Sequence, residues 1–176
     1  MTMQQATPNT THMALVELMK RGKLKAVVSQ NTDGLHRKSG IHPSKLADLH
    51  GNRNLEICVE CDREHMRDYR CPPEKKGQKH MTGRICDTPG CNGALKDTII
   101  NFGENLRDEN LEFGYRECGK SDLVLCMGSS MRVTPACDMP FTCKPKGGKV
   151  VIINLQKTPC DNKAALVIHE KIEKVI

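Results

Sequence analysis

Three short apolar runs that end in polar or small residues constrain the fold of this chain most strongly. They are "LKAVVS" (24–29), "SDLVLCMGSS" (121–130) and "KVVIIN" (149–154), and "ALVIH" (165–169) is a fourth candidate. Apolar runs without polar alternation are typical of strands buried on both faces of a parallel sheet. Helix-like segments separate them, so the sequence predicts an α/β fold with a Rossmann-like, doubly wound parallel sheet.

Two segments have helical patterns. Residues 10–21 carry an apolar stripe, which predicts a helix capped by Thr10 or Thr11 and stopped by Gly22. Residues 110–118 are also predicted to be helical.

The remaining local predictions concern turns and a further strand. The polar segment 30–44 indicates a long loop with at most one helical turn. Residues 45–50 fit either a strand or a short helix, and "DTIINFG" (97–103) is predicted as a strand.

The composition changes at residue 53, where cysteines and charges become frequent and Pro72-Pro73 interrupts the chain. This change predicts a small inserted module. The expected divisions are 1–52 for the first part of the α/β domain, 53–98 for the module and 99–176 for the second part.

Two cysteine pairs lie within the inserted segment, and their spacing is that of a metal site. The pairs are "CVEC", with Cys58 and Cys61, and "CDTPGC", with Cys86 and Cys91. Two such turns supply the four thiolates of a closed tetrahedral zinc site, so we predict a structural zinc in a zinc-ribbon module.

The other cysteines lack a close partner of this kind. Cys71 is therefore not expected to bind the metal. We interpret the remaining ones as small buried hydrophobic residues, and they are Cys118, Cys126, Cys137, Cys143 and Cys160.

The charge balance gives a weak indication about partners. The net charge is +6, from 27 Lys and Arg against 21 Asp and Glu. This excess suits an acidic partner such as nucleic acid or chromatin, and ordinary solubility explains it equally well. The inserted module contributes Arg63, Arg67, Arg70, Lys75, Lys76, Lys79 and Arg84. The N-terminus does not have the pattern of a secretory signal. No apolar run reaches the length of a membrane span, so the sequence predicts no membrane partner.

Polar or small residues follow each of the main apolar runs. Carboxyl ends of parallel strands meet at one edge of a sheet, where open α/β folds bind ligands. Together these residues predict a nucleotide crevice; they are Gln30, Asn31, Gly128, Ser129, Ser130, Asn154, Leu155 and Gln156.

The order of the motifs resembles one protein family. "SQNTDGLHRKSG", "LADLHGN", the paired cysteines, "LKDTIINFGE", "CMGSSMRV" and "VIINLQ" resemble the sirtuins, which are NAD-dependent protein deacylases. "TGRIC" and "NLQKTPCDNKAAL" resemble the class IV branch, the sirtuin-six and sirtuin-seven type. The similarity runs from about Thr10 to the last residues.

The resemblance implies roles for individual residues. Gln30, Asn31 and Asp33 are expected to line the pocket for nicotinamide and its ribose, with His50 as the general base. Phe102, Gly103 and Glu104 are expected to pair with an acylated peptide as an added strand. The expected NAD contacts on the second part of the fold are Gly128, Ser129, Ser130, Asn154, Leu155, Gln156 and Ile172.

The resemblance also implies a reaction. The acyl group of a protein lysine moves to ADP-ribose, nicotinamide is released, and a histone tail in the nucleus is the expected substrate. Mono-ADP-ribosyl transfer in the same pocket is an alternative, as is a non-catalytic zinc-bearing interaction module on chromatin.

The chain departs from the family pattern in two places. It lacks the "GAGxS" phosphate loop and the first strand, so the resemblance implies an N-terminally truncated domain with an incomplete sheet. Glu170 stands where the branch has Gly. We expect the isolated chain to bind NAD poorly and to show little activity, because backbone N–H groups of that loop hold the pyrophosphate.

Overall fold

The computed structural model describes residues 6–73 and 79–176, so Lys75 and Lys76 of the basic module lie outside the described residues. Its helices are α1 (Thr10–Lys20), α2 (Leu35–Ser39) and α3 (Asp108–Lys120). Its strands are β1 (Val27–Ser29), β2 (Leu46–Asp48), β3 (Leu55–Cys58), β4 (Glu64–Met66), β5 (Met81–Ile85), β6 (Ala94–Asp97), β7 (Leu123–Met127), β8 (Lys149–Ile153) and β9 (Leu166–Ile168).

The apolar runs form parallel strands, as the sequence predicts. Strand β1 pairs with β2, and β8 lies between β7 and β9, with all these pairs parallel. Segment 45–50 resolves into strand β2, and the helical turn in segment 30–44 is α2. A shared apolar cluster packs Ala47 of β2 and Met139 against Val28 of β1 and Val124 of β7. The Rossmann-like α/β class is therefore confirmed.

The cysteines outside the inserted segment are buried, as expected. Burial raises the pKa of Cys126 to about 12 and that of Cys118 to about 11, which keeps both thiols protonated and unreactive. The members of this buried set are Cys118, Cys126, Cys137, Cys143 and Cys160.

Strands β3 to β6 form a separate antiparallel sheet in the order β4-β3-β6-β5. The predicted strand over 97–103 is wrong in its placement, because only Asp97 belongs to a strand, and that strand is the end of β6. The apolar pair Ile99-Ile100 belongs instead to an irregular connection. This connection has no ladder of strand hydrogen bonds; separate hydrogen bonds to the turn after β2 fix it instead.

The start of α1 also differs from the prediction. Asn9, rather than Thr10 or Thr11, caps the helix, and its side chain accepts a hydrogen bond from the backbone N–H of His12 at 3.1 Å. The His12 side chain completes the capping box by bonding the Asn9 backbone. The predicted stop at Gly22 is confirmed, since this residue has a φ of 67° and its N–H bonds Met19 at 2.9 Å.

The turn after β2 lies against the chain that leaves β6. The Asn52 backbone N–H donates to the Thr98 hydroxyl at 3.0 Å, and that hydroxyl donates back to the Asn52 carbonyl at 3.0 Å. A Cβ atom on Gly51 would lie 1.8 Å from the Thr98 carbonyl oxygen. Only glycine therefore allows these two backbones to approach so closely.

None of the helices in 6–73 and 79–176 combines the length and hydropathy needed to cross a bilayer.

We predict that Gly51→Ala lowers the free energy of unfolding by roughly 3 kcal/mol or more, because two backbones must separate to admit the methyl group. Gly22→Ala is the matched control. Gly22 also has a positive φ, but a Cβ there meets nothing within 4 Å. The control should lose only about 1 kcal/mol, the cost of a left-handed alanine. Urea denaturation of both variants measures the difference, and equal losses would contradict the close-approach argument.

Candidate functional site

The four predicted cysteine ligands converge in the inserted module. All four Sγ atoms lie within 4.8 Å of one another; they belong to Cys58, Cys61, Cys86 and Cys91. The Cys58–Cys91 Sγ distance is 3.6 Å and the Cys61–Cys86 distance is 3.8 Å. Tetrahedral zinc with Zn–S bonds of about 2.3 Å requires sulfur separations of about 3.8 Å. The cluster therefore fits a structural zinc site, and Cys71 lies outside it.

The backbone around the cluster favours thiolates. The Glu60 N–H donates to Cys58 Sγ at 3.4 Å. Burial raises the pKa of Cys58, but backbone hydrogen bonds from Cys61 and Glu60 outweigh it and lower the pKa to about 7. A Cβ on Gly93 would lie 2.6 Å from Cys58 Sγ. Glycine is therefore needed at this position, after the Cys86–Cys91 pair, so that the Cys58 sulfur atom can approach the other three.

Sequence reasoning missed a histidine beside this cluster. His65 on β4 is buried, and its Nε2 lies 3.3 Å from Cys86 Sγ. Its Nδ1 lies 3.0 Å from the Asp87 carboxylate, which orients the ring. His65 follows Cys61 by four residues, which is a signal in the sequence. It was passed over because the two cysteine pairs already supply the four ligands of a closed tetrahedral site.

The ends of β1, β2 and β7 meet at one place. His50 Nδ1 lies 3.1 Å from the backbone carbonyl oxygen of Gln30, which directly follows β1. The Ser129 hydroxyl, after β7, donates to the Gln30 side-chain oxygen at 3.4 Å. The structure thus brings together three of the sequence-predicted site residues from three separate strands.

The contact with Gln30 fixes the tautomer of neutral His50. A backbone carbonyl can only accept a hydrogen bond, so Nδ1 must carry the proton. The proton-free nitrogen is then Nε2, whose lone pair can accept a proton from a substrate. A histidine held in this way has the arrangement of a general base.

The glycine after β7 supports a close approach of a ligand. Gly128 has a φ of 62°, and a Cβ there would lie 3.1 Å from Cδ1 of Ile172. Ile172 therefore lies over the end of β7. The neighbouring Ser130 is exposed.

The other predicted contacts are fixed by local hydrogen bonds. The Asn154 amide donates to the Gln156 carbonyl at 2.8 Å, and Leu155 between them is exposed. The Asp33 carboxylate accepts from the Leu35 N–H, the first backbone N–H of α2, at 2.9 Å. The Asn31 N–H donates to the Ser29 hydroxyl at 3.1 Å, which closes the turn after β1.

The predicted peptide segment is a tight turn on the surface. The Glu104 carboxylate accepts from the Asn101 backbone N–H at 2.8 Å, and Gly103 has a φ of 87°. The Phe102 ring at the tip is fully exposed. The Ile100 N–H donates to the His50 carbonyl at 3.1 Å, so this segment is attached to the His50 turn.

A half-buried arginine, for which the sequence predicted no role, joins the β1–β2 pair to the antiparallel sheet of the module. Arg37 on α2 bonds Asp48 at 3.0 Å and Glu64 at 2.7 Å. Asp48 ends β2 two residues before His50, and Glu64 begins β4 of the inserted module. Burial lowers the pKa of Arg37, but the hydrogen bond to Glu64 raises it, and the net effect is a raised pKa. Arg37 therefore stays charged and fixes the module to the β2 end.

We predict that purified protein carries one zinc ion per chain and that Cys58→Ala abolishes zinc binding. Metal analysis of the purified variant is the measurement. Cys71→Ala is the matched control, because Cys71 is also a buried cysteine of the module and should leave the zinc content unchanged. Structural zinc supplies on the order of 10 kcal/mol of folding free energy, so a strong chelator should unfold the β3–β6 sheet. Zinc-free protein from chelator-free purification would refute the site.

Known proteins share this sequence and fold. The model of the Sir2 family matches residues 1–135. The NAD-dependent protein deacetylase SRT1 of Arabidopsis thaliana is 47% identical over 98% of this chain, and sirtuin-7 of Bos taurus is 37% identical over 99%. The chain spans 36% and 45% of the lengths of these two relatives.

Solved structures agree with this assignment. A Sir2 structure with a p53 peptide and NAD+ superposes with a TM-score of 0.76 at 33% identity, covering 98% of this chain and 69% of that one. A structure of Sir2Tm with a propionylated peptide has the same TM-score and identity, and 70% of its chain is covered. The fold, the cysteine cluster and these matches agree: the chain belongs to the Sir2 family, on the side of the sirtuin-six and sirtuin-seven relatives.

Proposed function

We propose that this chain carries the catalytic half-site of an NAD-dependent protein-lysine deacylase, which transfers the acyl group to ADP-ribose and releases nicotinamide. The observation that supports this most is the meeting of Gln30, His50 and Ser129 at the ends of three parallel strands. Ligands of open α/β sheets bind at such ends. The names of the relatives, which are NAD-dependent protein deacetylases, point to the same reaction.

His50 is assigned the role of general base. Its Nδ1 proton is held on the Gln30 carbonyl, so neutral His50 receives the proton of a ribose hydroxyl at Nε2. Transfer of this proton makes the hydroxyl oxygen a better nucleophile toward the acyl carbon. The hydrogen bond at Nδ1 also stabilises the imidazolium that results.

The remaining residues are assigned to NAD. Gln30, Asn31 and Asp33 are placed around the nicotinamide ribose, and the β7 and β8 ends around the adenosine half. Gly128 lets the ligand approach the backbone, and the Ser129 hydroxyl can donate to a ribose or phosphate oxygen. The assigned adenosine contacts are Gly128, Ser129, Ser130, Asn154, Leu155, Gln156 and Ile172. NAD supplies the ADP-ribose acceptor.

The Asn101–Glu104 turn is assigned to the acylated peptide. Phe102 is fully exposed, and Gly103 leaves the backbone open to a second extended chain. Main-chain pairing of this kind supplies affinity without requiring a fixed sequence. It suits an enzyme that recognises the acyl-lysine itself.

The proposal extends to the setting in which the protein works. Its resemblance to the sirtuin-six and sirtuin-seven type and its net charge of +6 favour a nuclear protein that acts on histone tails near nucleic acid. The division into 1–52, 53–98 and 99–176 belongs to the same proposal and is supported by the antiparallel sheet, which begins at Leu55 and ends at Asp97. A purely structural zinc-bearing interaction module is less favoured, because the relatives are named as enzymes.

In the full-length context, we expect His50→Ala to lower the rate of deacylation by roughly 10²–10⁴-fold, the usual contribution of a positioned general base. NAD affinity should change little, since the imidazole acts on a hydroxyl group and not on the phosphates. The rate is measured by mass spectrometry with NAD and an acetylated histone peptide, and the affinity by calorimetry.

His42→Asn serves as the control for this experiment. His42 is exposed and caps the short 3-10 helix Pro43–Lys45, a role that asparagine also performs. Its turnover should match that of the unmodified protein. Near-normal turnover of His50→Ala would show that another group removes the proton.

A further inference from the structure

His80 joins the zinc-binding module to the predicted peptide segment. Its Nδ1 lies 3.0 Å from the Asp97 carboxylate, and its Nε2 lies 3.1 Å from the Glu104 carboxylate. Asp97 ends β6 of the module, whereas Glu104 closes the Asn101–Glu104 turn. One imidazole therefore bridges two carboxylates from different parts of the fold.

Each carboxylate also holds the backbone of the peptide segment. Asp97 Oδ1 accepts from the Ile99 N–H at 2.9 Å. Glu104 Oε2 accepts from both the backbone N–H and the side-chain amide of Asn101, at 2.8 and 3.2 Å. The two oxygens of Glu104 thus have different partners: Oε1 bonds His80, and Oε2 bonds Asn101.

The backbone of His80 is fixed as well. Its carbonyl accepts from the Asp97 N–H at 2.7 Å, and its φ is 62°, in the left-handed region. The side chain is 23% exposed, against 3% for Asp97 and 32% for Glu104. The bridge is therefore partly shielded from water but still reachable by protons.

The turn has little other support at its tip. Phe102 makes no buried packing contact, because its side chain is fully exposed, and a Cβ on Gly103 would meet nothing within 4 Å. Apolar packing therefore does not order the tip. Its order comes from hydrogen bonds: the Glu104 N–H donates to the Asn101 carbonyl at 3.1 Å, and the Glu104 carboxylate accepts from the Asn101 N–H at 2.8 Å. His80 in turn fixes that carboxylate.

We propose that His80 is a positioning residue, through which the zinc-binding module holds the Asn101–Glu104 turn in the conformation that receives an acylated peptide. The role in peptide binding rests on the proposed function, whereas the holding of the turn does not. Protonation of His80 strengthens the hold, so the site accepts peptide better when this histidine is charged.

The direction of the pH effect follows from the donors that the ring offers. Doubly protonated imidazole donates to both carboxylates, but the neutral ring has one N–H and must give up one of the two bonds. The hydrogen bond to Asp97, then the one to Glu104, raises the pKa of His80 above its ordinary value, against the effect of burial. The hold is therefore complete below the unfolded-state pKa of about 6.5 and is lost as the pH rises through the raised pKa.

Hydrogen exchange tests the hold without any assay of activity. We expect the amides of Ile99 and Asn101, which the two bridged carboxylates hold, to exchange about three- to tenfold faster in His80→Asn than in the unmodified protein near pH 6. This is the effect of losing one or two hydrogen bonds of ordinary strength. Asparagine suits the left-handed backbone but is too short to reach Glu104. The difference should shrink near pH 9, after correction for intrinsic exchange rates.

Two further variants keep the test specific. His80→Gln retains one amide donor, so it should give intermediate protection that does not change with pH. His42→Asn should match the unmodified protein throughout. Zinc content is measured for every variant, which separates loss of the hold from unfolding of the module. Unchanged protection in both His80 variants would overturn the proposal.

Kinetics then test the role in peptide binding. In the full-length context and with NAD saturating, we expect His80→Asn to raise the KM for an acetylated peptide about three- to tenfold while kcat changes by less than about twofold. The KM of the unmodified protein should rise from roughly pH 6 to pH 9, and the KM of His80→Gln should show no such rise. Altered protection with an unaltered KM would refute the peptide role.

The proposed function fails in a different way. Unmodified full-length protein that neither binds nor deacylates the acetylated peptide, yet shows protection dependent on His80, would refute the deacylase assignment and leave the hold on the turn established.

Discussion

The backbone of the turn after β2 lies directly against the chain that leaves the zinc-binding module, and the other functional parts depend on this contact. Gly51 approaches the Thr98 carbonyl so closely that no side chain fits, and the Asn52 backbone and the Thr98 hydroxyl exchange two hydrogen bonds. The His50 carbonyl binds the Ile100 N–H in the same region. The assigned base, the module and the peptide segment therefore share one backbone junction, and a shift of any one of them moves the other two.

Two side-chain links tie the module to this junction. Arg37 links Glu64 on β4 to Asp48 at the end of β2, and His80 links the module to Glu104. The zinc site lies at the end of β3, where Cys58 pairs with Leu95 of β6. A closed four-thiolate site offers the metal no open position for substrate. Its contribution to function is therefore the stiffness of the sheet that carries these links.

The sequence was sufficient where the chemistry is local. Two cysteine pairs, each separated by a few residues, were enough to predict the four-cysteine cluster. Gln30 and Ser129 could be placed together because the carboxyl ends of parallel strands meet at one edge. Prediction failed where partners are distant in sequence. The apolar pair Ile99-Ile100 was predicted to lie in a strand. Its backbone instead bonds the turn after β2, through Thr98 to Asn52 and through the Ile100 N–H to the His50 carbonyl. Arg37 stands in the quoted stretch "SQNTDGLHRKSG" and His80 stands in none. No role could be predicted for either residue, because its partners lie far away in the sequence and meet it only in the fold.

The same long-range pairing changes the interpretation of charge. The sequence suggested a basic module, yet Arg67 and Arg84 both bond the carboxylate of Glu56, at 2.9 and 2.7 Å, and Thr82 bonds it as well. Glu56 is fully buried. Burial raises the pKa of Glu56, but the hydrogen bonds from Thr82 and the two arginines lower it by more. The net effect is a lowered pKa, so the carboxylate stays charged. Removing both arginines would leave an uncompensated charge inside the sheet. These two arginines therefore stabilise the module itself, and any contact with an acidic partner must come from its other basic residues.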